Sequence, residues 1–418
     1  MVREYFLKKI KLLLIAPSFY PVHGGAGLRF YRYLPYFYEN DIETTVICGT
    51  PKTKKVTDED RHADWLQLQD GTLVADEVVE NAKVLKYKIP GSGAKKRCKF
   101  LLDKAIELCA DQHLRPDIVH IIAPMPYAVT KQLKEIKKLG VKLIYSHTIA
   151  KKFSTKVFVK LMQKWTIKQV LKQYDHIIVQ SQVLKELISE TNPDSTISVI
   201  PNGVDIEKFS PVKNQQEKNY LRTSLGLPLD ATIITLVGAI HPRKGTDLLV
   251  EAWSQLVKQY PQLNLVLIGP RYDQTREELL EFKEKIEQAI DQSGRKSNIY
   301  FLGELKQVDL YLKASDMFVF PSEREGMPNA VLEAMATGLP IVLTPFMGLS
   351  KELGNASEQY LLAERSCNSL REKILNLIED KNLRESLSIK AREWIVNNMQ
   401  INRNAEQYTN VFRESMRS

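Results

Sequence analysis

The stretch from Met317 to Pro340 constrains the fold more tightly than any other part of this chain. Its apolar run, Met317-Phe318-Val319-Phe320, reads as a buried strand. Pro321 and Ser322 end that run, a short polar turn follows, and a helix is expected to begin near Pro328. Pro328 suits the first helical turn, where its missing N–H costs nothing. Gly338 suits the stop, with Pro340 just beyond it. The result is a helix N-terminus at the C-terminal end of a strand, the place where ligands bind in an open α/β sheet. The first-turn amides and the helix dipole favour an anion there. Glu325 stands just ahead of the helix and Glu333 eight residues later inside it, so both carboxylates can address one ligand. Solvated acids on a capped surface helix are the plainer alternative.

The same strand-then-helix rhythm runs through the chain. Strands are expected at residues 11–16, 44–48, 84–89, 117–122, 142–147 and 176–181, and again at 232–238, 263–268, 299–303 and 317–320, with helical patterns between them. Over 418 residues, this predicts an α/β protein of two doubly wound, parallel-sheet (Rossmann-like) domains facing a cleft. We expect a first domain at 1–205, a second at 206–399, and a terminal helix at about 400–418, which in folds of this kind commonly crosses back to the first domain. Residues 51–80 read as loop plus a short hairpin. No run of about 18 apolar residues occurs, so no membrane-spanning helix is expected. Leu12 to Ala16 is too short for a signal-peptide core and reads as the first strand. Cys48, Cys98, Cys109 and Cys367 show no metal or redox spacing, which fits free thiols in a reducing cytoplasm.

Charge is unevenly placed. Residues 1–205 hold 32 Lys+Arg against 22 Asp+Glu, whereas the remainder holds 27 against 28. The whole excess of a chain with net charge +9 therefore lies in the first half, which predicts an anionic partner for that half. Several features there could serve it. His23-Gly24-Gly25-Ala26-Gly27 follows the first strand and precedes a helix, a layout that lets backbone amides approach a phosphate, although a plain turn is the alternative. Arg29 could add charge to that site. His147 ends a strand and is expected at the binding edge of the sheet, unless it is a hydrogen-bonded structural residue. From Lys151 to Lys172 no acid occurs, and lysines alternate with Phe153, Phe158 and Trp165 at helical spacing. This Lys-rich 151–172 segment could lie on an anionic membrane, or it could be an ordinary domain helix with solvated lysines.

In the second half, a strand ending at Gly238 is followed by Ala239-Ile240-His241-Pro242-Arg243-Lys244-Gly245, and Thr246 is the expected helix cap. Earlier lies Pro201-Asn202-Gly203-Val204-Asp205, with Phe209 beyond it. These segments, together with Glu325-Gly326-Met327-Pro328-Asn329 and Leu332-Glu333-Ala334-Met335-Ala336-Thr337-Gly338-Leu339-Pro340, resemble the motifs of glycosyltransferase family 4. The likeness covers residues 11 to 345. It departs from the family at Ala239, where an Arg is usual, and at Ile122, where many members carry His.

The resemblance implies a GT-B fold and a retaining, metal-independent, hexosyltransferase-like enzyme. That enzyme would move sugar from a nucleotide-sugar co-substrate to a glycan or lipid-linked acceptor, in cell-surface polysaccharide or glycolipid synthesis. It implies that Glu333 binds the donor's ribose, and that Glu325 with Gly326, Met327, Pro328 and Asn329 holds the donor sugar. Lys244, with Arg243 beside it, would meet the diphosphate. Gly24, Gly25 and Gly27 would close over the phosphates, and His147 would serve catalysis from the acceptor side. No Asp-x-Asp sequence stands at the end of an expected strand, so the chain's own cations would take the place of a divalent ion, and no other cofactor is expected. The implied location is cytoplasmic and peripheral at the inner membrane face. Nucleic acid is not an expected partner, since only charge would argue for it. A nucleotide-sugar epimerase or hydrolase of the same fold, or a non-catalytic scaffold as Ala239 and Ile122 would suit, are the alternatives.

Overall fold

The computed structural model describes residues 9–20, 25–50, 68–90, 94–122, 129–148, 157–271 and 279–417. The chain forms two compact units, one of residues 1–202 with 402–418 and one of 203–401.

The first unit holds β1 (Ile10–Ala16), β2 (Ile42–Gly49), β3 (Leu73–Val79), β4 (Ala82–Tyr87), β5 (Ile118–Ile121), β6 (Lys142–His147), β7 (His176–Val179) and β8 (Ile197–Val199). They lie in the order β3-β4-β2-β1-β5-β6-β7-β8. Every neighbouring pair is parallel except β3 with β4. The apolar run Leu12 to Ala16 is buried throughout, as expected for a strand covered on both faces. Glu80 and Asn81 both adopt positive φ, 48° and 63°, the backbone that a two-residue hairpin turn between β3 and β4 requires. Of the polar segment 51–80, residues 51–67 lie outside the described ones. The helix Gly25–Glu39 runs through Pro35 and packs against the helix Ile401–Arg417. Ring centroids there are 5.2 Å apart for Phe30 and Tyr408, and 5.5 Å for Phe37 and Phe412.

The second unit holds β9 (Thr232–Val237), β10 (Leu263–Ile268), β11 (Ile299–Phe301), β12 (Met317–Phe320), β13 (Ile341–Leu343) and β14 (Leu361–Leu362), all parallel, in the order β11-β10-β9-β12-β13-β14. Numbered within the unit, that order is 3-2-1-4-5-6, so the sheet reverses direction between β9 and β12. The loops leaving those two strands meet at the reversal, the place where this class of fold binds ligands. At the opposite end of the pair, Asp316 fixes their register. Its carboxylate accepts from Arg222 Nη2 at 2.7 Å, Lys218 Nζ at 2.6 Å and the Ile233 N–H at 2.7 Å. Arg222 is buried, so the pair acts in a weakly screening environment.

Two helix starts differ from the sequence reading. Thr246 is the first helical residue, and the cap is Gly245 at φ 67° with no side-chain cap bond. Pro328 is the cap of the helix Asn329–Ala336 rather than a member of its first turn. Its φ of −76° and ψ of 110° set the extended entry that the preceding loop needs.

Candidate active site

The site is built from the loops that follow β9 and β12. After β9, the His241 ring nitrogen Nδ1 accepts from the Arg243 N–H at 3.1 Å and starts a 3-10 turn, Pro242–Lys244. Gly245 closes the turn against β12's exit: a Cβ added there would lie 2.3 Å from the Pro321 carbonyl oxygen. The Arg243 carbonyl accepts from the Glu323 N–H at 2.9 Å. The two loops are therefore joined through their backbones, and Arg243 and Lys244 come to face Glu325.

Three donors converge on one oxygen of that carboxylate. Lys244 Nζ lies 2.7 Å, Arg243 Nη1 2.8 Å and Ser322 Oγ 2.7 Å from Glu325 Oε1. Arg243 also donates to the Arg324 carbonyl at 2.6 Å. Lys244 Nζ stands 4.8 Å from the centre of the Phe320 ring, a cation–π contact. Glu325 and Lys244 are largely enclosed, with side chains 15% and 14% exposed, whereas Arg243 is 36% exposed. Burial alone would push the Glu325 carboxyl up; the Lys244 charge and hydrogen bond, the Ser322 hydroxyl and Arg243 outweigh it and hold the group below its ordinary value of 4.5. Burial lowers the Lys244 ammonium from its ordinary value, against the pull of Glu325. The Glu325 carboxylate is therefore ionised near neutrality, and its Oε2 receives no donor among the described residues.

A third loop supports the second. After β13, Met347 exchanges backbone bonds with the Glu325 loop: Glu325 N–H donates to its carbonyl at 3.0 Å, and its N–H donates to the Glu323 carbonyl at 2.9 Å. Gly348, at φ 105°, sits so close that a Cβ would lie 2.1 Å from the Glu325 carbonyl oxygen. Thr344 Oγ1 donates to the Ser322 carbonyl at 3.1 Å. The sequence pointed to neither Ser322 nor this turn. A lone Ser carries no signal, and the contact of this turn with Glu325 depends on backbone geometry that the sequence does not encode.

Arg243, Lys244 and Glu325 are thus brought together, with Gly326, Met327, Pro328 and Asn329 continuing the same loop. Met327 is buried, as is Glu333 on the helix Asn329–Ala336. In the first unit, Gly24 lies outside the described residues. Gly25 opens the helix Gly25–Glu39. Gly27 packs so closely on the post-β1 loop that a Cβ would lie 2.5 Å from the Ser18 carbonyl oxygen. His147 is half-buried at the end of β6, with Nδ1 3.2 Å from Tyr145 Oη. Of the Lys-rich 151–172 segment, 151–156 lie outside the described residues, and Val157–Leu171 is helical, with Trp165 60% exposed. Among the described residues no cluster of three or more His, Cys, Asp or Glu could hold a metal ion, and no helix is long and apolar enough to cross a membrane.

Two largely parallel sheets, with a buried carboxylate and two cations at the second sheet's reversal point, define a doubly wound α/β protein. Comparison with known proteins narrows this. Residues 23–208 match the family model for glycosyltransferase family 4, and residues 217–394 match that for glycosyl transferases group 1. An Escherichia coli protein named UDP-Gal:alpha-D-GlcNAc-diphosphoundecaprenol alpha-1,3-galactosyltransferase is 30% identical over 270 residues, 64% of this chain and 67% of that protein. Matches to further curated relatives span 41% to 62% of their length. Among solved structures, sucrose-phosphate synthase from Thermosynechococcus elongatus superposes with a TM-score of 0.75 at 18% identity, over 97% of this chain and 98% of that one. The Anabaena protein HepE, in complex with UDP and glucose, gives 0.70 at 18%, over 97% and 99%. The chain belongs to the group 1 and family 4 glycosyltransferases of the GT-B fold.

Proposed function

We propose that this glycosyltransferase moves a hexose from a UDP-sugar, with retention at the anomeric carbon, to a glycan or lipid-linked acceptor in cell-surface polysaccharide or glycolipid synthesis. The observation that carries the proposal is the meeting of Lys244, Arg243 and Ser322 on one oxygen of Glu325. The relative named for UDP-galactose and a diphosphoundecaprenol-linked sugar, and the neighbour solved with UDP and glucose, support the choice of donor and acceptor class.

The chemistry follows from where charge develops. As the glycosidic bond breaks, the leaving diphosphate gains negative charge, and fixed cations in an enclosed site lower that barrier more than they would in water. Lys244 and Arg243 are those cations, and Arg243 can engage a phosphate through two N–H bonds. They thereby do the work that a divalent ion would otherwise do. Glu325 remains ionised, so Oε2 accepts from a sugar hydroxyl, and Gly326 to Asn329 hold the rest of the donor sugar. Glu333 binds the ribose hydroxyls. Gly24, Gly25 and Gly27 lend backbone amides to the phosphates, and His147 assists catalysis at the acceptor. The Lys-rich 151–172 segment, with exposed Trp165, brings the enzyme to the inner membrane face.

Titration of a nucleotide-sugar panel, read by thermal shift and by nucleoside diphosphate release, tests the proposal. A UDP-sugar should stabilise the protein and release UDP only when acceptor is added. Release at the same rate without any acceptor would instead mark a hydrolase, and conversion of the UDP-sugar to its epimer without UDP release would mark an epimerase.

A further inference from the structure

The helix that carries Glu333 is short, Asn329–Ala336, and about 12 Å from end to end. Every residue from Val331 to Ala336 is buried, so packing holds the helix as a rod. Its N-terminus continues the Glu325 loop. Its C-terminus rests on the segment by which the chain enters the second unit, which begins at Gly203. Three contacts make that seat. Phe209 is buried in one apolar cluster with Val331, Leu332 and Met335. Gly338, at φ 73°, follows the helix so near Pro211 that an added Cβ would lie 3.1 Å from Pro211 Cγ. Arg392, on the helix Lys381–Asn398, ties the two segments directly. Its Nη1 donates to the Ala336 carbonyl at 2.6 Å and to the Phe209 carbonyl at 2.8 Å, and its Nη2 donates to the Ile206 carbonyl at 3.0 Å. The start of the segment is anchored as well. The Val204 N–H donates to the Met399 carbonyl at 2.8 Å, and the Ile401 N–H donates to the Val204 carbonyl at 3.1 Å. The chain's entry to the unit is thus paired with its exit.

Capping alone does not need this geometry. The Glu333, Ala334 and Met335 carbonyls accept from the N–H groups of Thr337, Leu339 and Gly338. One donor to the Ala336 carbonyl would complete the helix end, and the helix dipole favours a cation there. A flexible lysine would suffice for that. Arg392 instead presents a planar fork whose donors keep a fixed separation, and it directs them to carbonyls of two different segments. We propose that Arg392 is a positioning residue for sugar transfer: it holds the helix of Glu333 in register with residues 206–209, and so sets where the donor end of that helix stands. It acts through the helix rather than on the donor. The inference rests on the reading of Glu325, Glu333 and Lys244 as the donor site.

The test uses the full chain, with a UDP-hexose and a lipid diphosphate-linked acceptor, in steady-state kinetics of wild type, Arg392→Met, Arg392→Lys and Arg384→Met. Arg384 lies on the same helix and donates to the carbonyls of Leu377 and Ile378, at the end of the helix Cys367–Glu379. Arg384→Met therefore removes comparable bonds from a different helix end. Arg392→Met should lower kcat/KM for the UDP-hexose on the order of 10²-fold, the scale of a small misplacement imposed from far off. Part of that loss should be a raised donor KM, while the acceptor KM stays unchanged. Arg384→Met should lower the melting midpoint about as much as Arg392→Met and leave both KM values at those of wild type. Arg392→Lys keeps the cation at the helix end without the fork, so it should recover the midpoint and not the donor KM. A Lys variant with wild-type kinetics would make Arg392 a helix cap and overturn the proposal. So would Arg392→Met with both KM values unchanged and kcat lowered only as far as the folded fraction falls, which is the mark of a structural role. Should Arg392→Met fail to fold, the Lys variant decides alone. Hydrogen exchange keeps the tie distinct from the donor reading. The Arg392 variants should exchange faster in residues 204–209 and 329–336 together, and exchange unchanged in both would overturn the tie. Wild type that turns over no UDP-hexose would count against the donor reading, and exchange would then decide the tie by itself.

Discussion

Glu325 is the residue around which the second unit's candidate site is built, because three donors meet on one of its oxygens. Glu325→Gln keeps the shape but removes the charge that orders Lys244 and Arg243, and should lower kcat about 10²-fold with an unaltered fold. Lys244→Ala removes a fixed cation and should cost about 10²–10³-fold, as the loss of one preorganised donor does. Steady-state turnover with donor and acceptor saturating checks both. The sign of the pH effect follows from the depressed Glu325 pKa. A carboxyl that titrates lower in the folded than in the unfolded chain stabilises the fold above the unfolded value, and that contribution is lost as pH falls through the folded one. Acid melts should therefore show wild type losing stability faster than Glu325→Gln once pH drops below about 4.5. Glu325 and Lys244 were legible in the sequence, since the motifs that hold them are dense. Arg243 was legible as a charge beside Lys244 but not as a partner of Glu325. Its direction comes from the His241 cap and the backbone bond to Glu323, neither of which sequence spacing encodes.

At the scale of elements, the order β11-β10-β9-β12-β13-β14 sets β9 beside β12, so loops some eighty residues apart in the chain share one site. The alternation of apolar runs and helical patterns foretold parallel sheets. It did not foretell which strands adjoin, because neighbours in a doubly wound sheet are chosen by crossover packing. Glycines lock the arrangement. Gly245 touches the Pro321 carbonyl, and Gly348 touches that of Glu325, each at a φ that side chains rarely adopt. Gly348→Ala should therefore destabilise by about 1–3 kcal/mol and lower turnover, although Gly348 has no reactive group; a denaturant melt and a rate measurement check it. Asp316→Ala, at the far end of the same strands, leaves Arg222 buried without its carboxylate. It should cost about 3–5 kcal/mol by chemical denaturation. Part of that cost should return when Arg222 is also replaced by Met. Neither the Gly348 contact nor Asp316 was visible in the sequence, since each depends on a neighbour in another loop or strand.

The molecule as a whole carries its excess charge in residues 1–205, and the two units carry different chemistry. The second brings two cations onto one carboxylate, and the first carries the excess of basic over acidic residues. If the first half draws the enzyme to an anionic lipid surface, sedimentation with vesicles containing phosphatidylglycerol should capture it at low salt. It should be released as ionic strength rises and the Debye length shortens. Capture unaffected by salt would argue for apolar insertion, and no capture at low salt would remove the membrane from the account. The central claim is narrower: sugar transfer at the Glu325, Lys244 and Arg243 site. The most direct measurement is UDP release from a UDP-hexose by wild type and Lys244→Ala, with and without a lipid diphosphate-linked acceptor. Acceptor-dependent release by wild type that falls at least about 10²-fold in the variant is the predicted result. Release by the variant at the wild-type rate would contradict it.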